Sequence, residues 1–189
     1  MTLRLSMPAP KPIVLVGLMG AGKTSIGRLL AKRLGLEFID ADHEIELAAQ
    51  CSVERIFERH GEAVFRDGEQ RVIARLLSGP THVLATGGGA FMRKATRDVI
   101  RRRGISVWLR ADLDLLLRRV SRRKNRPLLR NENPRQILEK LIEERYPVYA
   151  EADIVVDSGD RSPGTIVDNV IGALETFLGA GAGSSQAAG

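Results

Sequence analysis

The segment Gly17-Leu18-Met19-Gly20-Ala21-Gly22-Lys23-Thr24 matches the pattern G-x-x-x-x-G-K-S/T at every fixed position. Residues of these types at this spacing handle phosphate. Where glycine replaces a side chain, successive backbone N–H groups can converge on phosphate oxygens that any Cβ would crowd. A helix that begins at once adds its unpaired N–H donors. The expected contacts to a nucleoside triphosphate come from Gly20, Ala21, Gly22, Lys23, Thr24 and Ser25, with Lys23 reaching the β and γ phosphates and the Thr24 hydroxyl a magnesium ligand. A glycine-rich turn with an incidental lysine is the plainer reading, and the flanking pattern weighs against it.

Further candidates lie downstream. Asp40 and Asp42 follow Glu37-Phe38-Ile39 and stand two apart at a strand end, so they need not share a job. One carboxylate can hold magnesium through water while the other meets an acceptor hydroxyl, although Asp42 could equally cap a helix starting near His43. In Phe65-Arg66-Asp67-Gly68-Glu69, Arg66 and Glu69 share a helix face, where a surface ion pair is the ordinary expectation. Gly87-Gly88-Gly89 offers bare backbone to a ligand, or is a flexible turn. Arg145 alone reads as a solvated helix residue.

The elements that must position these groups are visible as apolar runs at 13–16, 37–39, 82–85, 106–109 and 154–156, alternating with helical patterns. This is the βαβ signature, and it predicts a three-layer α/β/α fold with a five-stranded parallel sheet. Ligands in such folds sit beyond the carboxyl ends of the strands, so the first three strands should open onto one rim. Asn133-Pro134 and Ser162-Pro163 each pair a capping side chain with proline at the first helical position. The basic stretch 122–133 carries no sustained helical period and is expected to be a mobile loop. Residues 1–10 and the Gly/Ala/Ser-rich 179–189 are expected to be disordered, leaving one domain over 11–178.

Composition narrows the classes. A chain of 189 residues can bury a sizeable core as one domain. No run approaches a membrane span, and the first residues lack the apolar centre of a signal peptide. Cys51 has no internal partner, and His43, His60 and His82 lack zinc-ligand spacing, so a reducing cytoplasm is expected. The net charge of +6 is carried mainly by arginine and clusters between Arg101 and Arg135. Such a patch can attract nucleic acid, but recognisable motifs are missing and aromatic residues make up only 4%, too few for base stacking. Anionic substrates explain the same charge.

Taken together, Gly-Leu-Met-Gly-Ala-Gly-Lys-Thr, Phe-Ile-Asp-Ala-Asp, Phe-Arg-Asp-Gly-Glu, Ala-Thr-Gly-Gly-Gly-Ala, Asn-Arg-Pro-Leu-Leu and Arg-Tyr-Pro-Val-Tyr resemble the shikimate kinases in order and spacing, from about Ile13 to about Phe177. The resemblance implies a P-loop fold of the nucleoside-monophosphate-kinase type. It also implies transfer of the ATP γ-phosphoryl group to the 3-hydroxyl of shikimate, with Mg²⁺, by a monomer that needs neither nucleic acid nor membrane. Carried over by position, it assigns the shikimate carboxylate to Arg66 and Arg145, with Gly87, Gly88 and Gly89 alongside. Asp42 becomes the ring-hydroxyl ligand and candidate base, and Asp40 the group that reaches magnesium through water. Arg126 becomes the lid arginine, within a lid at about 122–133, and joins Lys23 and Asp42 as a catalytic residue. Arg119, Arg161 and Pro163 flank the adenine. Gly68 is a mild departure, costing about 1 kcal/mol relative to alanine inside a helix. Kinases of gluconate or of a nucleoside monophosphate, a non-catalytic nucleotide-binding module and a nucleic-acid-binding protein remain alternatives.

Overall fold

The computed structural model describes residues 9–121 and 133–184. Five parallel strands, β1 (Ile13–Val16), β2 (Glu37–Asp40), β3 (His82–Ala85), β4 (Ile105–Arg110) and β5 (Ile154–Asp157), form one sheet in the order β2-β3-β1-β4-β5. The expected strands are all present, and each lies within a residue or so of its predicted bounds. β1 and β3 are buried along their whole length because both sheet faces are covered, whereas the edge strand β5 alternates buried and exposed.

The helices are α1 (Lys23–Leu34), α2 (Ala41–Ala49), α3 (Val53–Leu76), α4 (Lys94–Arg103), α5 (Leu113–Ser121), α6 (Pro134–Tyr149) and α7 (Pro163–Ser184), with a short 3₁₀ turn at Ala90–Met92. The chain leaves β1 toward one sheet edge to reach β2, then crosses back through β3 and β4 to β5. Right-handed crossovers therefore put α1 on one face and the later crossover helices on the other, and α7 packs beside α1. β1 and β3 are neighbours whose outgoing loops turn to opposite faces. That is the switch point at which such sheets open a crevice. The Thr86 N–H and hydroxyl both donate to the Leu15 carbonyl, at 3.2 and 3.0 Å, and tie the two strand ends together there.

The main core is built from the sheet, α1, α7 and the inner faces of α4 to α6. A smaller cluster of Ile45, Ile56 and Phe65 lies between α2 and α3. Asn133 and Ser162 cap α6 and α7 as expected, accepting from the N–H groups of Arg135 (3.0 Å) and Thr165 (3.1 Å). At the carboxyl end the structure differs from the expected boundary at 178, since α7 continues through Ser184. Its buried Ile166, Val167, Val170, Ile171 and Leu174 anchor the helix. Ala9, inside the segment expected to be disordered, is buried in the core. The expected lid and Arg126 lie outside the described residues, apart from Asn133.

Candidate active site

The loop between β1 and α1 begins at Gly17, whose φ of 142° and closeness to Leu109 exclude a side chain: a Cβ there would stand 2.8 Å from the Leu109 carbonyl oxygen. Gly22, at φ 100°, starts α1 without a side-chain cap, so the first N–H groups of the helix remain for a ligand. Lys23 Nζ donates to the Gly17 and Leu18 carbonyls at 2.7 and 2.9 Å, which holds its ammonium over the loop. Ala21 is buried and takes part through its backbone.

Ser158, fully buried after β5, supports this loop from behind. Its Oγ donates to the Ala21 carbonyl at 2.8 Å and accepts from Arg119 Nη1 at 3.1 Å. The same Arg119 nitrogen lies 3.3 and 3.2 Å from the Gly20 and Ala21 carbonyls. Arg119 therefore braces the phosphate loop as well as lining the cleft, and burial lowers its pKa. Nothing in the linear sequence marks Ser158 for this part.

At the end of β2, Thr24 Oγ1 donates to Asp40 Oδ2 at 3.3 Å, joining the two residues expected at the metal. Asp40 Oδ1 accepts from the Asp42 N–H at 3.1 Å, so the cap of α2 is Asp40 and the helix starts at Ala41. The alternative in which Asp42 caps a helix near His43 is thereby corrected. A strand-end residue with extended backbone is placed to cap, whereas Asp42 is already within the first turn. Its carboxylate points into the cleft. The cleft walls displace enough water to raise its pKa, Asp40 adds to the rise, and Lys23 and Arg66 oppose it.

Arg66 and Glu69 form the pair that the sequence suggested, with Nη1 2.7 Å from Oε2. The expectation of a surface ion pair is wrong, because Glu69 is only 1% exposed. The shared face of α3 is turned inward, onto the triglycine loop. Burial raises the Glu69 pKa while Arg66 pulls it down, and its second oxygen, Oε1, has no hydrogen-bond partner among the described residues. A Cβ on Gly87 would stand 2.9 Å from Asp42 Oδ1 and 3.1 Å from Glu69 Oε1, so the two carboxylates converge on one patch of bare backbone. Arg145 reaches the same loop from α6, its Nη1 donating to the Gly88 carbonyl at 2.9 Å.

These groups surround two adjoining hollows. The larger, about 650 Å³, holds Gly20, Gly22, Lys23, Thr24, Ser25, Asp40, Asp42, Gly87, Gly88, Arg119, Arg161 and Pro163. The second, about 440 Å³, is lined by Arg66, Arg93, Arg145 and Gly89 together with Glu62, Ala63, Asp67 and Met92, and Asp67 pairs with Arg93. The triglycine loop is their common wall. The Lys23 ammonium and the start of α1 thus lie on one side of it and the Arg66 and Arg145 guanidiniums on the other, with Asp42 in the first hollow against Gly87. Such an arrangement can hold a nucleoside triphosphate and a small carboxylate-bearing acceptor at once.

The family model described as shikimate kinase matches residues 19–175. A shikimate kinase of Rhodopseudomonas palustris is 58% identical over 168 residues, covering 89% of this chain and 83% of that protein. One of Paramagnetospirillum magneticum is 57% identical over 168 residues, with 89% and 86% covered. Among solved structures, a shikimate kinase from Acinetobacter baumannii in complex with shikimate superposes with a TM-score of 0.83 at 41% identity, covering 92% of this chain and 96% of that one. The phosphate loop, the two arginines and the triglycine wall are assembled in one crevice, and the family match spans the site residues from Gly20 to Pro163: this chain belongs to the shikimate kinase family.

Proposed function

We propose that the protein transfers the γ-phosphoryl group of ATP to the 3-hydroxyl of shikimate, giving shikimate 3-phosphate and ADP. The observation that carries this reading is the placing of Arg66 and Arg145 around the triglycine loop, across Asp42 from the phosphate loop. Two planar guanidinium forks can orient a carboxylate bidentately and so fix a small rigid ring. In this reading Asp42 accepts the hydrogen of the 3-hydroxyl, whose oxygen bonds to the γ-phosphorus as the bond from that phosphorus to the β–γ bridging oxygen breaks. The proton leaves toward Asp42 and ADP carries away the released electron pair.

The N–H groups from Gly20 to Ser25 and the Lys23 ammonium hold the phosphates and offset the charge that gathers on the bridging oxygen. Arg119, Arg161 and Pro163 flank the base. Thr24 and Asp40 are the residues that would hold Mg²⁺, Asp40 through water. Their fit rests on the hydroxyl–carboxylate pair at 3.3 Å beside the phosphate loop, hard oxygen donors that suit an ion keeping waters and phosphate oxygens in its shell. When bound, that ion neutralises phosphate charge.

We further infer a monomer that acts in the cytoplasm without nucleic acid. No helix among the described residues is long and apolar enough to cross a membrane. Among the described residues of the arginine cluster, Arg101 pairs with Glu151, Arg110 with Asp157, Arg118 with Asp160 and Arg135 with Asp114. An ADP-release assay with shikimate, gluconate and nucleoside monophosphates side by side tests the reading: only shikimate should support sustained turnover. Turnover of another acceptor in place of shikimate would overturn it.

A further inference from the structure

The two glycines at the centre of the acceptor wall share one peptide unit. That unit is trans, so the Gly88 carbonyl and the Gly89 N–H point in opposite directions. Glycines on both sides leave the unit few steric restraints, and a flip would reverse both groups. Something other than local sterics must hold it.

Two donors from α6 converge on the Gly88 carbonyl. One is Arg145 Nη1 at 2.9 Å and the other is the hydroxyl of Tyr149. The residues are four apart and lie on one helix face. Their freedom differs. Arg145 is half-buried, also hydrogen-bonds the Tyr149 hydroxyl, and lines the acceptor hollow, where a carboxylate competes for its fork. The Tyr149 ring is fully buried, with ring centroids of Trp108 at 5.8 Å and Phe91 at 6.3 Å. Burial raises the pKa of its hydroxyl, which stays a protonated donor across the neutral range.

We propose that Tyr149 is a positioning residue for the acceptor: its fixed hydroxyl holds the Gly88–Gly89 peptide in place while Arg145 is drawn onto the substrate. The assignment rests on the proposed reaction, with the anion site at Arg66 and Arg145. It gives Tyr149 a part in shikimate binding without contact with shikimate. The loop orientation set in this way keeps the Gly89 N–H facing away from α6.

Tyr146 supplies the control, since its hydroxyl donates in the same manner to the Ala111 carbonyl, away from the triglycine loop. Tyr149→Phe should raise the shikimate KM about five- to tenfold, the effect of one net hydrogen bond. It should leave kcat and the ATP KM within about twofold, a change too small to count as loss of a contact. Tyr146→Phe should leave the shikimate KM unchanged. In the enzyme without substrates, amide exchange at residues 87–89 should quicken in Tyr149→Phe and not in Tyr146→Phe. Unchanged exchange there, an unchanged shikimate KM, or an equal rise in the KM of both substrates would overturn the assignment. Wild-type protein that released no ADP with shikimate would instead overturn the proposed reaction, and exchange at 87–89 would still decide whether Tyr149 holds the loop.

Discussion

The guanidinium of Arg66 lies over the backbone of Gly89 so closely that a Cβ built there would stand 2.6 Å from Arg66 Cζ. The obstacle is the end of a flexible side chain, so a methyl group would displace the Arg66 guanidinium and strain its ion pair with the buried Glu69. Gly89→Ala should therefore raise the shikimate KM by at least about tenfold, the scale of losing one charge-assisted bond, with the ATP KM nearly unchanged. Arg66→Lys and Arg145→Lys should each weaken shikimate use by roughly 10- to 100-fold, because lysine cannot reproduce the planar fork. Steady-state kinetics with each substrate varied in turn checks all three. A wild-type shikimate KM in all of them would place the carboxylate elsewhere.

Lys23→Ala should abolish turnover and leave the fold intact. The hydrogen bonds described for Lys23 go to the carbonyls of its own loop, at Gly17 and Leu18, so removing them alters the phosphate site and not the core. Circular dichroism should match wild type while ADP release falls to background. Near-normal activity would sink the assignment of the phosphate loop.

Acidification should reduce activity above the usual carboxylate range. Burial holds the pKa of Asp42 up, with Asp40 adding to it, and burial holds Glu69 up against Arg66. Asp42 must be ionised to accept from the hydroxyl, and Glu69 to orient Arg66, so kcat/KM for shikimate should fall as pH drops through both raised values. The folding contribution has the opposite sign: stability from a carboxyl with raised folded pKa is fully present below its unfolded pKa and lost as pH rises through the folded one. Asp42→Asn should then lower kcat by at least about 100-fold, while its thermal midpoint at neutral pH equals or exceeds that of wild type. A pH–rate profile and calorimetry test the pair of signs. A defect confined to KM would make Asp42 a binding residue only.

Gly68 sits inside α3 with open space beyond its own helix where its Cβ would be. Gly68→Ala should stabilise the protein by about 1 kcal/mol through helix propensity. For a domain of this size that is a rise of roughly 2–4 °C in thermal midpoint. A fall in the midpoint would show that the helix needs glycine there for a reason that its open surroundings do not reveal.

Features that depend on neighbours in the chain were legible from the sequence. The phosphate loop is a contiguous strand, turn and helix start, so its residue order already states its geometry. The five strands and the caps at Asn133 and Ser162 are local in the same way. Spacing also put Arg66 and Glu69 on one helix face. It could not say whether that face looks to water or inward, because periodicity carries relative direction and no absolute one.

The sequence by itself determined the phosphate chemistry and the parallel α/β architecture, since both follow from short-range patterns of glycine, capping residues and apolar periodicity. Only the tertiary structure decided which distant segments meet. Strand order places β1 beside β3, and that adjacency brings Gly87 to Gly89 against the phosphate loop. The inward turn of α3 buries Glu69 beside Asp42, α6 brings Tyr149 onto Gly88, and β5 brings Ser158 to Ala21 across 137 positions of sequence. The physical reason is that these contacts arise when separate elements bury their apolar faces in a common core, and the polar groups on those faces must then find partners wherever the packing has put them.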